Sequence, residues 1–331
     1  MLLSELFASR RTEAQRRLDQ LRTQLRTRLD CIEAKFPDPD VCIYATGSLA
    51  RLEATENSDL DAFFLLSGKS DDNPLGRIRD VRILNAVLLS AEDNGFPDFS
   101  NDGEYLKFLH IEDVLHQIGG REDDYNNALT ARMLMLLESK YLYNEELYGR
   151  FKKKLIEAYF EDFHDHSKSF RPIFLLNDVI RFWRTMCLNY ENGRQWRMSD
   201  SEKSAKGHLA NLKLKFSRLN ICYSFISHLL NKGSTQTPED VLETSALTPI
   251  ERLQDIRDSD AGFKSAVDLL LEEYKWFLEK TAPEKRKVLE WIGQSHNRED
   301  AFAHAANFVE ETGKLVQAIA EKNGYLRYLI V

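Results

Sequence analysis

The residues of this chain whose types and spacing could do chemistry are Gly47-Ser48 and, a short way on, Asp59-Leu60-Asp61. A glycine lets the backbone come close to a bulky anion. A serine hydroxyl and the free N–H groups at a helix start can hold phosphate oxygens. Two carboxylates side by side repel each other, and keeping both ionised is costly unless a cation lies between them. Hard oxygen ligands of this kind suit Mg2+ or Mn2+, usually shared with substrate phosphates. A phosphate cradle followed by a carboxylate pair is therefore a site for metal-assisted phosphoryl or nucleotidyl transfer.

The surrounding sequence supplies elements to position these groups. Val41-Cys42-Ile43-Tyr44-Ala45 is a short apolar run and reads as a buried strand. Thr46-Gly47-Ser48 breaks the run, and Leu49 to Ala54 reads as the first turns of a helix with Ser48 near its N-terminus. Asn57-Ser58 signals a turn, and residues 59–66 read as a second strand. Side chains alternate along a strand, which places Asp59 and Asp61 on one face and Leu60 on the other.

The order Gly47-Ser48, then Arg51 and Glu53, then Ser58-Asp59-Leu60-Asp61 resembles the signature of the polymerase-β-like nucleotidyltransferase superfamily, and within it the bacterial protein-uridylyltransferase type and its relatives. A second patch is similar to the stretch that closes the catalytic domain in those relatives. It runs through Asn127-Ala128-Leu129-Thr130, Leu137-Glu138-Ser139-Lys140 and Tyr143-Asn144-Glu145-Glu146-Leu147. The resemblance implies an enzyme dependent on Mg2+ or Mn2+ that uses a nucleoside triphosphate, with Gly47, Ser48, Arg51 and Ser58 on the nucleotide and Asp59 and Asp61 as catalytic metal ligands. It also implies a third catalytic carboxylate. Glu138, which follows the apolar run Met133 to Leu137, sits at the matching acidic position and is the expected one. Asp102 and Glu104 are the other candidates, and a structural pairing of Glu138 with Arg132 or Lys140 is the alternative role.

Length and composition set the frame. A chain of 331 residues is long enough for two domains. A net charge of −8 excludes a generally basic nucleic-acid binder, though not a local basic cleft. Cys31, Cys42, Cys187 and Cys222 have neither metal-site nor redox spacing. With no signal peptide recognised, they fit a reducing cytoplasm. No apolar stretch is long enough to span a membrane. His164 and His166 flank Asp165 in a polar stretch without closing metal ligands.

Residues 1–36 carry apolar positions at helical spacing and read as an amphipathic helix or helix pair. Their arginines, Arg10 to Arg28, are read as a solvated face balanced by acids rather than a nucleic-acid surface. Residues 37–148 form the expected catalytic domain, with a helix over Arg77 to Glu92 and an undecided strand or helix start at Tyr105 to Val114.

From residue 149 to 331 the pattern is helical. Helices are expected over Leu147 to Phe160, Phe170 to Tyr190, Lys206 to Leu230, Leu242 to Ile256, Ala261 to Thr281, Pro283 to Gly293 and Ala301 to Tyr328. Asn177, Arg181 and Arg184 are spaced to share one helix face, as are Lys215 and Arg218. In the relatives a helical domain packs beside the catalytic sheet and sends bases to the triphosphate. The resemblance therefore makes Arg181, Arg184, Lys215 and Arg218 nucleotide-binding candidates. The fold expected is a small mixed sheet with helices followed by an all-α domain. The function expected is transfer of a nucleoside monophosphate to a hydroxyl of a protein, an RNA end or a small molecule. The alternative is a nucleotide-binding regulator without turnover.

Overall fold

The computed structural model describes residues 3–33, 41–69, 76–99, 106–195 and 201–329. The chain forms two compact units, one from Ser4 to Ala158 and one from Tyr159 onward. The boundary expected at residue 148/149 falls inside a helix, Glu145–Glu157, which the first unit keeps whole.

In the first unit the apolar run at 41–46 becomes strand β1 (Val41–Thr46), buried along its whole length. A strand covered on both faces reads as a continuous apolar run rather than an alternating one. Strand β2 (Asp61–Leu66) pairs with it antiparallel, with Val41 opposite Leu66 and Thr46 opposite Asp61. The undecided stretch near residue 105 resolves into both alternatives: a three-residue strand β3 (Phe108–His110), followed at once by a helix, Ile111–His116. β3 runs parallel to β2, and strand β4 (Lys140–Tyr143) runs antiparallel to β1. Among the described residues the sheet order is β3-β2-β1-β4, a small mixed sheet as expected.

Two helices cover one face. Helix α1 (Leu3–Glu33) is a single helix. Its Leu18, Leu21, Leu25 and Leu29 pack with Val41, Ile43 and Ala45 of β1, Phe64 of β2 and Leu142 of β4. A short α2 (Gly47–Ala50) follows β1, and α3 (Gly76–Asp93) adds Ile83, Ala86 and Val87 to the same core. The residues of opposite parity in β1 face the other side. There Tyr44 donates its hydroxyl to the Ala131 carbonyl at 3.1 Å. That side is built from α4 (Ile111–His116), α5 (Glu122–Tyr125), α6 (Ala128–Leu137) and α7 (Glu145–Glu157).

The second unit is all helix: α8 (Phe163–His166), α9 (Ile173–Gln195), α10 (Ser201–Lys213), a π-helical turn (Leu214–Arg218), α11 (Leu219–Asn231), α12 (Pro238–Ala246), α13 (Pro249–Ser259), α14 (Lys264–Lys280), α15 (Lys285–Gly293), α16 (Ser295–Lys322) and α17 (Leu326–Leu329). Its core is aromatic, with Phe216 of the π turn stacked on Phe277 of α14 at 4.8 Å and on Phe308 of α16 at 4.9 Å. The single helix expected over Leu242 to Ile256 is two helices. The break falls at Thr248-Pro249, where Thr248 caps α13 in a reciprocal box with Glu251. The polar insert expected from Gly193 to Ser204 is shorter, because α9 runs to Gln195 and α10 starts at Ser201, and Trp196 lies outside the described residues.

Candidate nucleotide site

The site sits where β1 ends and β2 begins. Register sets Thr46 opposite Asp61, and the next residue, Gly47, turns the chain with φ +69°. A Cβ built on Gly47 would lie 2.5 Å from Asp61 Oδ2. The glycine is thus required twice, by its left-handed backbone and by the carboxylate that closes over it. Leu60 is buried, Asp59 is half-buried and Asp61 is exposed at the start of β2. The strand expected from residue 59 begins at Asp61, so Asp59 is held by the loop that leads into it.

The helix expected over Leu49 to Ala54 is a single turn that ends at Ala50. Leu52 then takes φ +58° and the chain folds back, Glu53 N–H donating to the Ser48 carbonyl at 2.9 Å. One turn carries little helix dipole. What this turn offers is the side-chain-free backbone of Gly47, followed by the Ser48 hydroxyl.

Arg51, expected on the nucleotide, is buried. Its Nε meets Glu53 Oε2 at 2.7 Å and its Nη1 meets Glu138 Oε2 at 2.5 Å. The Glu138 side chain has no exposed surface and faces Arg51. Arg51 and Glu138 therefore have a structural contact besides the roles expected of them. They tie the loop after α2 to the end of α6. Arg132, weighed with Lys140 as a partner for Glu138, is buried against Asp123 at 2.9 and 3.0 Å. Asp102 and Glu104 lie outside the described residues.

Ser58 is also committed to the loop. Its Oγ accepts from Thr55 N–H at 2.9 Å, and its own N–H donates to the Thr55 carbonyl at 3.1 Å. The same loop is pinned from α1, where the buried Arg17 donates to the Thr55 carbonyl at 2.5 Å and stacks 3.7 Å over the Phe96 ring. Arg22 donates to the Tyr141 carbonyl at 3.0 Å, and Arg28 reaches Asp93 at 2.5 Å. Burial lowers the pKa of Arg10, with the charge of Glu53 acting the other way. The α1 arginines thus divide: Arg16 pairs with Glu13 on the exposed face as expected, while Arg17, Arg22 and Arg28 also reach the rest of the unit. A run of arginines at helical spacing could not signal the second group, because those acceptors are distant in sequence.

The residue pair fits a metal shared with substrate. Among the described residues no group of three or more His, Cys, Asp or Glu could hold an ion alone. Mg2+, however, is usually bound through one or two carboxylates plus substrate phosphates. Asp59 and Asp61 are hard oxygen donors of that type, and the Asp61 carboxylate lies beside a backbone that only glycine leaves open.

The other expected nucleotide ligands belong to the second unit. Arg181 is half-buried in α9 and meets Asp178 of the same helix at 3.4 Å. Arg184 is exposed on α9, and Lys215 and Arg218 are half-buried in the π turn. Because the turn is π-helical, Lys215 and Arg218 do not sit in the uninterrupted helix expected over 206–230.

The model of the nucleotidyltransferase domain family matches residues 25–132, from within α1 to within α6. A comparison with curated proteins found no match.

Proposed function

We propose that this nucleotidyltransferase domain is catalytically active and transfers a nucleoside monophosphate from a nucleoside triphosphate to an acceptor hydroxyl. The observation that carries the reading is the closure of Asp61 over the bare backbone of Gly47, with Asp59 two residues before it, inside the matched segment. Asp59 and Asp61 would hold Mg2+. That ion supplies charge neutralisation on the phosphates and a lowered pKa for the attacking hydroxyl.

The chain's own groups do the rest. Gly47 offers its backbone and Ser48 its hydroxyl to the triphosphate, which fixes the α-phosphorus relative to the two carboxylates. The acceptor oxygen forms a bond to the α-phosphorus, the bond from that phosphorus to the bridging oxygen breaks, and pyrophosphate leaves with the electron pair. The acceptor proton passes to solvent. The likeness to the protein-uridylyltransferase type makes a protein hydroxyl the first acceptor to try, ahead of an RNA end or a small molecule.

The test is pyrophosphate release and label transfer with each of the four α-labelled ribonucleoside triphosphates, with Mg2+ and with chelator. Metal-dependent transfer that vanishes in the Asp59→Ala, Asp61→Ala double variant, with the circular dichroism unchanged, is expected. Transfer that survives in the folded double variant overturns the assignment. A second reading, a nucleotide-binding regulator, is favoured by the burial of Glu138 against Arg51. It predicts a Tm raised by a triphosphate with no pyrophosphate released.

A further inference from the structure

The second unit contains a groove of about 610 Å³ between α9, the π turn and α16, and it holds features that nucleotidyl transfer does not use. Its walls are mainly apolar, from Trp183, Leu214, Leu219 and Val309. Its volume lies in the range of small-molecule sites, which are apolar clefts with a few placed polar groups. The π turn is what opens it: Leu214, Lys215 and, just beyond, Leu219 all line it, while Phe216 between them fills the core. A π turn is rare, appears mostly as a single-turn bulge in an α-helix, and recurs at functional sites.

The polar lining is unbalanced in one direction. Lys215 is half-buried and its only interaction among the described residues is over the Phe302 ring at 5.5 Å. No carboxylate of a described residue meets it. One turn before it, Asn211 lines the same groove, and its amide makes no hydrogen bond to a described residue. The indole N–H of Trp183 is likewise without an acceptor among them. The two acids on the rim are each met by a base on their own helix, Glu191 by Arg194 at 3.3 Å and Glu310 by Lys314 at 2.8 Å. The groove therefore presents donors without a described acceptor, and a lysine without a described carboxylate partner, above an aromatic and aliphatic wall.

We infer that this groove binds a small organic anion with a flat apolar body, such as an aromatic carboxylate. The anionic head would lie between Lys215 and Asn211 and the ring would lie along Trp183, Leu219 and Val309. A charge-assisted hydrogen bond in a partly desolvated groove supplies orientation, and the ring burial supplies most of the affinity. The site lies within one unit and does not depend on the nucleotidyltransferase reading.

The test is calorimetric titration of the full chain with 2-naphthoate and with its neutral isostere 2-naphthamide. Saturable binding of one naphthoate per chain is expected, with the amide weaker by about tenfold or more. Lys215→Met keeps the alkyl stem and should bring the acid down to the affinity of the amide. Ala306→Trp, at an exposed lining position on α16, should fill the groove and abolish binding of both. Equal affinity for acid and amide in the wild-type chain, full binding in a folded Ala306→Trp variant, or no binding of naphthoate overturns the inference. The acid-against-amide comparison needs no variant to fold.

Discussion

Gly47 is the position at which the site has no tolerance. A side chain there meets two penalties at once, a left-handed φ of +69° and a carboxylate oxygen 2.5 Å from the new Cβ. Gly47→Ala should cost about 1–2 kcal/mol of stability from backbone strain. It should also push Asp61 aside, with activity falling by about a hundredfold, the scale of an ångström's displacement at a reacting centre. Urea unfolding and the rate of pyrophosphate release separate the two effects. A variant that keeps full activity would mean that the Asp61 carboxylate works from another position. At this scale the proposed nucleotide site, Gly47, Ser48, Asp59 and Asp61, was legible in the sequence, because these residues carry their chemistry in their types and order. The surroundings of Arg51, Ser58 and Glu138 were not. Each has the right chemistry for a ligand, and only tertiary structure reveals that Arg51 and Glu138 satisfy each other and that Ser58 satisfies a loop N–H. Glu53 gains its role from the fold, as a buried carboxylate against the buried Arg51 two residues before it.

Between elements, the bond from Arg51 to Glu138 joins the loop after α2 to the corner between α6 and β4. Removing one member of a buried ion pair leaves an uncompensated charge, so Glu138→Gln should lower stability by roughly 3 kcal/mol. If Glu138 only positions the loop, the variant should keep the wild-type dependence of rate on Mg2+ concentration when assayed well below its melting temperature. A raised Mg2+ requirement would instead return Glu138 to the metal. The elements themselves were readable where periodicity is long, as in α1, α3 and α9. They were less readable where a local hydrogen-bonding choice decides. The three-residue β3 exists because its backbone pairs with β2, and nothing in Phe108-Leu109-His110 alone separates it from a helix start. The π turn at Leu214–Arg218 leaves the helical pattern intact and shifts only its phase. The break before α13 had a visible cause in Thr248-Pro249, which the apolar periodicity on either side masked.

On the scale of the whole chain, the division into a sheet-bearing unit and a helical unit follows from where strand-like runs cease. The first unit runs to residue 158 rather than to the expected 148, and α7 within it packs with β1 and β4. The sheet order has a further bearing on how this protein must be made. β1 lies between β2 and β4, yet β2 follows it within about twenty residues while β4 arrives nearly a hundred residues later. Until residue 143 has left the ribosome, one edge of the central strand has no partner, and an unpaired edge is a template for misassembly. The segment recognisable by family, residues 25–132, stops short of both β4 and Glu138 and begins after Leu18 and Leu21 of α1. A fragment ending at residue 132 should aggregate on expression, whereas one ending at Ala158 should be monodisperse by light scattering. The matched segment is thus smaller than the compact unit around it, and the first turns of α1 and the strand after the match are what turn a signature into a body.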